Sequence, residues 1–154
     1  ATSFYLLLKQ FADKQKAILE YHTKADLAEK QFFSDIKPDA YFTFETEKGK
    51  RSCFVEIDME TESKATVRRK MQRYIDYYIS QEWKAIARSF PIIATISLTT
   101  TRVETILSET SELLKENDYP LILCKFATFT TIEKHELGSM IWDVALKEEK
   151  ARLL

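Results

Sequence analysis

The chain has 154 residues, of which 45% are hydrophobic and 31% charged, with a net charge of −1. This length suits one compact domain of about 100–200 residues, and the apolar content excludes a disordered segment. The near-zero charge excludes the plainly basic surface of a small dedicated nucleic-acid binder, so any such function must rest on a local basic patch.

In chain order, Leu7, Leu8, Phe11, Ile18 and Leu19 recur at helical spacing, which predicts a single helix filling residues 1–30. The stretch 35–38 breaks the pattern, because a residue before proline disfavours the helical region. Two aromatic and β-branched runs, 40–45 and 51–58, flank the glycine-containing TEKGK segment and predict a β-hairpin. A long helix follows over 61–81, with Val67, Met71, Tyr74, Ile75 and Tyr78 as its inner stripe. Tyr74, Tyr77 and Tyr78 invite comparison with base-stacking residues, but at this spacing they read first as core. Pro91 opens IIATISL, a continuous apolar run typical of a strand buried on both faces. Thr101 and Glu104 predict a capping box for a helix whose inner face is Val103, Ile106, Leu107, Leu113 and Leu114. Pro120 leads into a fourth strand, LILCKF. The predicted order is α-β-β-α-β-α-β, with a core over 38–128. Crossover helices require a partly parallel sheet. The tail, 129–154, is expected to pack back through Met140, Ile141 and Trp142 and to fray over 147–152. One domain over 1–154 is the simplest organisation, because no low-complexity stretch, repeat or Pro/Gly/Ser-rich linker interrupts it.

Cys53 and Cys124, the two cysteines, sit in apolar strand-like runs. They predict buried free thiols and a reducing, cytoplasmic location. No apolar run approaches the roughly 20 residues that span a bilayer, and residues 4–8 are too short for a signal-peptide core, so a membrane is not an expected partner.

Chemistry concentrates after residue 38. Side chains alternate across a strand, so Cys53, Val55 and Ile57 share one face, and Glu56 and Asp58 share the other, roughly 6–7 Å apart. Asp39 could meet them at the same sheet edge. Three clustered carboxylates without histidine form an oxygen-only environment suited to Mg²⁺ or Mn²⁺. The competing interpretation is structural: acids are common at strand ends, and Asp39 after proline suits a turn. Lys64, Arg68, Arg69, Lys70 and Arg73 put five cations within ten residues with no acid among them. They could hold a phosphate backbone or form a solvated face that offsets Asp58, Glu60 and Glu62. His22 and His135 lack partners at zinc-site spacing. No glycine-rich phosphate loop or nucleophile elbow is present.

The succession PDAYFTF, glycine turn, FVEIDMETES, then a helix with Lys70 and Tyr74, resembles the replication-relaxation family of plasmid and mobile-element proteins. The matching positions are Pro38, Asp39, Glu56, Asp58, Thr61, Lys70 and Tyr74, and the resemblance extends from about residue 4 to 126. It implies a restriction-endonuclease-like, three-layer α/β core of the PD-(D/E)xK kind, with a mixed central sheet of about four strands flanked by helices. By that resemblance Asp39 and Glu56, with Asp58, would be catalytic and hold Mg²⁺ or Mn²⁺, and Lys70 would support the attacking water. Arg68, Arg69, Arg73 and Lys64 would hold DNA. The third position departs from the pattern, since Asp58 stands where the wider fold has lysine. Two functions follow as expectations: metal-dependent DNA nicking or cleavage in plasmid replication, or a non-catalytic module that binds DNA or a replication partner. The wider fold also makes a homodimer an assembly to test.

Overall fold

The structure is a computed structural model, and it describes residues 3–30, 33 and 35–154. Residues 1 and 2 of the expected 1–30 helix lie outside the described residues. The remainder of that stretch is not one helix but three elements.

Helix α1, Phe4–Lys14, starts at Ser3, whose side chain accepts the Leu6 N–H, and it buries Phe4, Leu8 and Ala12 along one stripe. It stops at Lys16, which adopts a left-handed φ of 55°. The Ala17 N–H bonds back to the Ala12 carbonyl at 2.9 Å and the Lys16 N–H to that of Asp13 at 3.2 Å. This pair of bonds is a Schellman terminus, built here on lysine where glycine is usual. Strand β1, Ile18–Thr23, then pairs antiparallel with the next strand. Thr23 and Asp26 exchange side-chain-to-backbone bonds at 2.9 and 3.2 Å, capping α2, Lys24–Lys30.

Strands β2, Ala40–Thr46, and β3, Gly49–Asp58, form the expected hairpin. Gly49 occupies a φ of 133° at its turn, a region that strains any residue with a Cβ. Helix α3, Lys64–Ser80, begins at Ser63, whose hydroxyl accepts the Thr66 N–H. A 3₁₀ turn at Glu82–Ala85 leads to β4, Ile92–Ser97, buried throughout. Helix α4, Thr100–Glu116, is capped by Thr99, which accepts the Arg102 N–H. The cap thus falls two residues before the predicted Thr101–Glu104 pair. Strand β5, Cys124–Thr128, helix α5, Phe129–His135, and the short β6, Asp143–Val144, complete the order.

Among the described residues the sheet therefore has six strands rather than about four, in the spatial order β1-β2-β3-β4-β5-β6. The β3-β4 and β4-β5 pairs are parallel, and the others antiparallel. Its two faces carry separate cores. On one, α1, α5 and the tail cover Phe42, Cys53, Val55 and Ile96. On the other, α2, α3 and α4 cover Tyr41, Phe54, Ile93 and Phe126. Cys53 and Cys124 are buried and free. The tail packs back through fully buried Trp142 and Leu153, while Met140 stays exposed. It does not fray over 147–152. Trp142 bridges to Ala151, and the ammonium of Lys125 donates to the carbonyls of Arg152 at 2.6 Å and Leu153 at 2.9 Å. Among the described residues no helix is long and apolar enough to cross a membrane.

Candidate functional site

Parallel strands end on the same side of a sheet, and the register places Asp58 of β3 beside Ser97 of β4, which in turn faces Thr128 of β5. The antiparallel hairpin brings the start of β2 to that edge, with Ala40 opposite both Val55 and Thr23. Asp39, Glu56 and Asp58 consequently share one edge of the sheet. Their side chains then part.

Asp39 is fixed twice by the β3 main chain. Its N–H donates to the Val55 carbonyl at 2.9 Å, and its Oδ2 accepts the Ile57 N–H at 2.8 Å. Lys24 Nζ stands 3.8 Å from Oδ1. Glu56 lies two residues beyond Phe54 on the same face of β3, and so faces α3. Its Oε2 is fully enclosed and has no hydrogen-bond partner among the described residues. Burial pushes this carboxyl up to about 8, with Lys70 opposing the rise and the Asp39 charge adding to it.

Lys70 and Tyr74, four residues apart, lie on the same face of α3. Lys70 Nζ donates to Glu62 Oε1 at 2.7 Å. Burial works to lower the Lys70 ammonium, but the Glu62 bond and the charges of Glu56 and Asp39 hold it above its ordinary value. It therefore acts as a fixed positive charge and not as a base. The Tyr74 hydroxyl is enclosed and unpartnered among the described residues. Its phenol is raised well above its usual range by burial, then by the Glu56 and Asp39 charges. Asp39, Glu56, Lys70 and Tyr74 are thus within electrostatic reach of one another.

Asp58 departs from the sequence expectation. Arg102 grips its carboxylate with both arms, Nε to Oδ2 at 2.8 Å and Nη2 to Oδ1 at 3.0 Å. Ser97 Oγ donates to Oδ2 at 3.1 Å. Burial works to raise this carboxyl, but Arg102 and Ser97 outweigh it and leave it below its ordinary value. Arg102 also donates to the Glu62 carbonyl at 3.0 Å, and Thr99 bonds Glu60. Asp58 thereby anchors the β3–α3 loop to the start of α4. Among the described residues no group of three or more His, Cys, Asp or Glu side chains is placed to hold a metal ion, so the expected three-carboxylate cluster does not form.

The cations of α3 divide in the same way. Arg68 is committed to α4, bonding Glu109 at 3.1 Å and Glu116 at 2.7 Å, and Lys64 lies 3.9 Å from Glu109. Arg69 and Arg73 are exposed. Sequence reasoning missed Arg102, Ser97 and Lys24, none of which carries a local motif that points to its partner; Glu62, named there as an acid the α3 cations could offset, pairs with Lys70.

Asp39 also borders an open groove of about 1070 Å³ on the opposite face of the sheet, between α1, β1 and α5. Tyr5, Leu19, Tyr21, Met59, Leu98 and Phe129 supply much of its wall.

No curated protein and no solved structure matches the chain. The profile of the replication-relaxation family matches residues 10–93, more than half of the chain. The match reaches less far than the resemblance seen in the sequence, yet it includes Asp39, Glu56, Asp58, Lys70 and Tyr74. On that match, the chain belongs to the replication-relaxation family.

Proposed function

We propose that the chain is a DNA-processing domain acting in plasmid or mobile-element replication and relaxation, in which Asp39 and Glu56 hold Mg²⁺ or Mn²⁺ for phosphodiester nicking. The observation that carries this reading is the enclosed, unpartnered Oε2 of Glu56 beside the main-chain-anchored Asp39. A buried acceptor without a partner is costly, and a divalent cation would supply that partner and favour the ionised carboxylate. Mg²⁺ is commonly held by one or two carboxylates with water completing its shell, so two acids fit it without Asp58. When bound, such an ion would polarise the phosphate and acidify its water. The charge on Lys70 would favour the developing negative charge nearby, while Arg69 and Arg73 would hold phosphates. An antiparallel hairpin feeding parallel strands, with the acids at one edge, also fits a restriction-endonuclease-like core.

A second reading keeps the fold as a non-catalytic module that binds DNA or a replication partner. Asp58 favours it, because the position where the wider fold has lysine is occupied by an acid committed to Arg102.

A nicking assay separates the two. Supercoiled plasmid incubated with the chain and Mn²⁺ or Mg²⁺ should yield open circles, Glu56→Gln should abolish them, and the exposed Lys84→Ala should not. Intact plasmid under every metal, together with salt-dependent DNA retention, would favour the module.

A further inference from the structure

The groove on the α1 side is not used by the phosphodiester site, yet Asp39 lies on its border and joins the two. Tyr5, Met59 and Leu98 are 42%, 54% and 44% exposed along its walls. Three large apolar side chains left open in one groove mark a binding surface rather than scattered exposure. The Tyr5 and Tyr21 rings meet edge to face at 4.8 Å, and Tyr21 stacks over Phe42 at 6.5 Å.

Charge narrows the occupant. Among the described residues, the charged groups lining the groove are Lys9, Asp13, Asp39 and Glu133, and Lys9 is itself 3.8 Å from Asp13. This acidic excess repels phosphate. Cations stand outside: Lys24 beside Asp39, and the exposed Arg69 and Arg73 on α3, which covers the other face of the sheet. An apolar, aromatic interior with cations outside it complements a strand whose bases turn in and whose phosphates stay out. A duplex keeps its bases stacked together and presents phosphates that the groove does not favour.

We propose that this groove takes unstacked bases of a single-stranded or locally melted DNA segment, whose phosphates pass Lys24 toward α3. The inference rests on the DNA-processing reading above and names the substrate of that site as an unpaired strand.

Fluorescence anisotropy with the full chain tests it, using oligothymidine of about 12 nucleotides, within the usual range of single-strand site sizes. An abasic strand of equal length and a duplex serve as comparisons. Aromatic stacking on a base predicts oligothymidine binding about tenfold or more tighter than the abasic strand. Tyr5→Ala should erase that difference and Tyr5→Phe should keep it, with urea melts confirming that both variants fold. Equal binding of the base-bearing and abasic strands, or indifference to Tyr5→Ala, overturns the inference and leaves the groove to an apolar partner segment. If plasmid is still nicked in that case, only this inference falls. If no strand and no plasmid is bound, the DNA-processing reading falls with it.

Discussion

Replacing Glu56 by glutamine should change how folding depends on pH. The Glu56 carboxyl rises from 4.5 to about 8 on folding, because burial disfavours its charged form. Between those values the native chain keeps a proton that the unfolded chain has released, so stability falls as pH rises, by up to about 1.4 kcal/mol per pH unit. The loss begins near pH 4.5, accumulates to roughly 3–6 kcal/mol by pH 8 and then levels off. Glutamine stays neutral throughout, so Glu56→Gln should match the parent at low pH and exceed it in stability above pH 8. Urea denaturation of both proteins in chelator-containing buffer measures this, and the contributions of other titrating groups largely cancel in the difference. A difference that stays flat from about pH 4.5 to 8.5 would refute a Glu56 carboxyl whose burial outweighs the Lys70 charge. Adding Mn²⁺ to the parent at high pH should recover part of the lost stability, and should do nothing for Glu56→Gln.

Breaking the Asp58–Arg102 pair should be costly in a different way. Asp58→Ala leaves the half-buried Arg102 guanidinium with only the Glu62 carbonyl and should destabilise by about 1–3 kcal/mol; the double variant with Arg102→Ala should cost clearly less than the sum in urea melts, and strict additivity would refute the pairing. Lys16→Gly places the residue preferred at a left-handed helix terminus, so it should raise stability by about 0.5–1 kcal/mol and the midpoint by a few degrees; a lower melting temperature would contradict the terminus described. Burial pushes the Cys53 thiol up and that of Cys124 up to about 12, so neither should react with a thiol reagent in native buffer at neutral pH, whereas urea should expose both; rapid labelling of the native chain would refute their burial.

The hairpin, α3, α4 and β4 were legible because their signals are local: a glycine turn between alternating runs, and stripes at helical spacing. Strand β1 was hidden because Ile18 and Leu19 extend the α1 period. The residue that ends α1 is Lys16, which carries no terminator signal, so pairing with β2 overrides local preference. In α4 the run Thr99, Thr100, Thr101 offers three candidate caps, and only the fold selects the first. Asp39, Glu56 and Lys70 could be proposed from strand alternation and a family motif. The commitment of Asp58 to Arg102 could not, since the partners are 44 residues apart. Likewise Arg68 reads as a phosphate ligand until α4 packs beside α3 and presents Glu109 and Glu116.

Lys125 gives the sheet a dependence that runs backward along the chain. Its side chain is buried in β5, and its ammonium donates to main-chain carbonyls 27 and 28 positions later. During synthesis, a nascent chain that has released β5 but not those residues carries an amine that cannot be enclosed without penalty. That side of the sheet should therefore close last, and a stop codon before Arg152 should damage the middle of the molecule more than its margin.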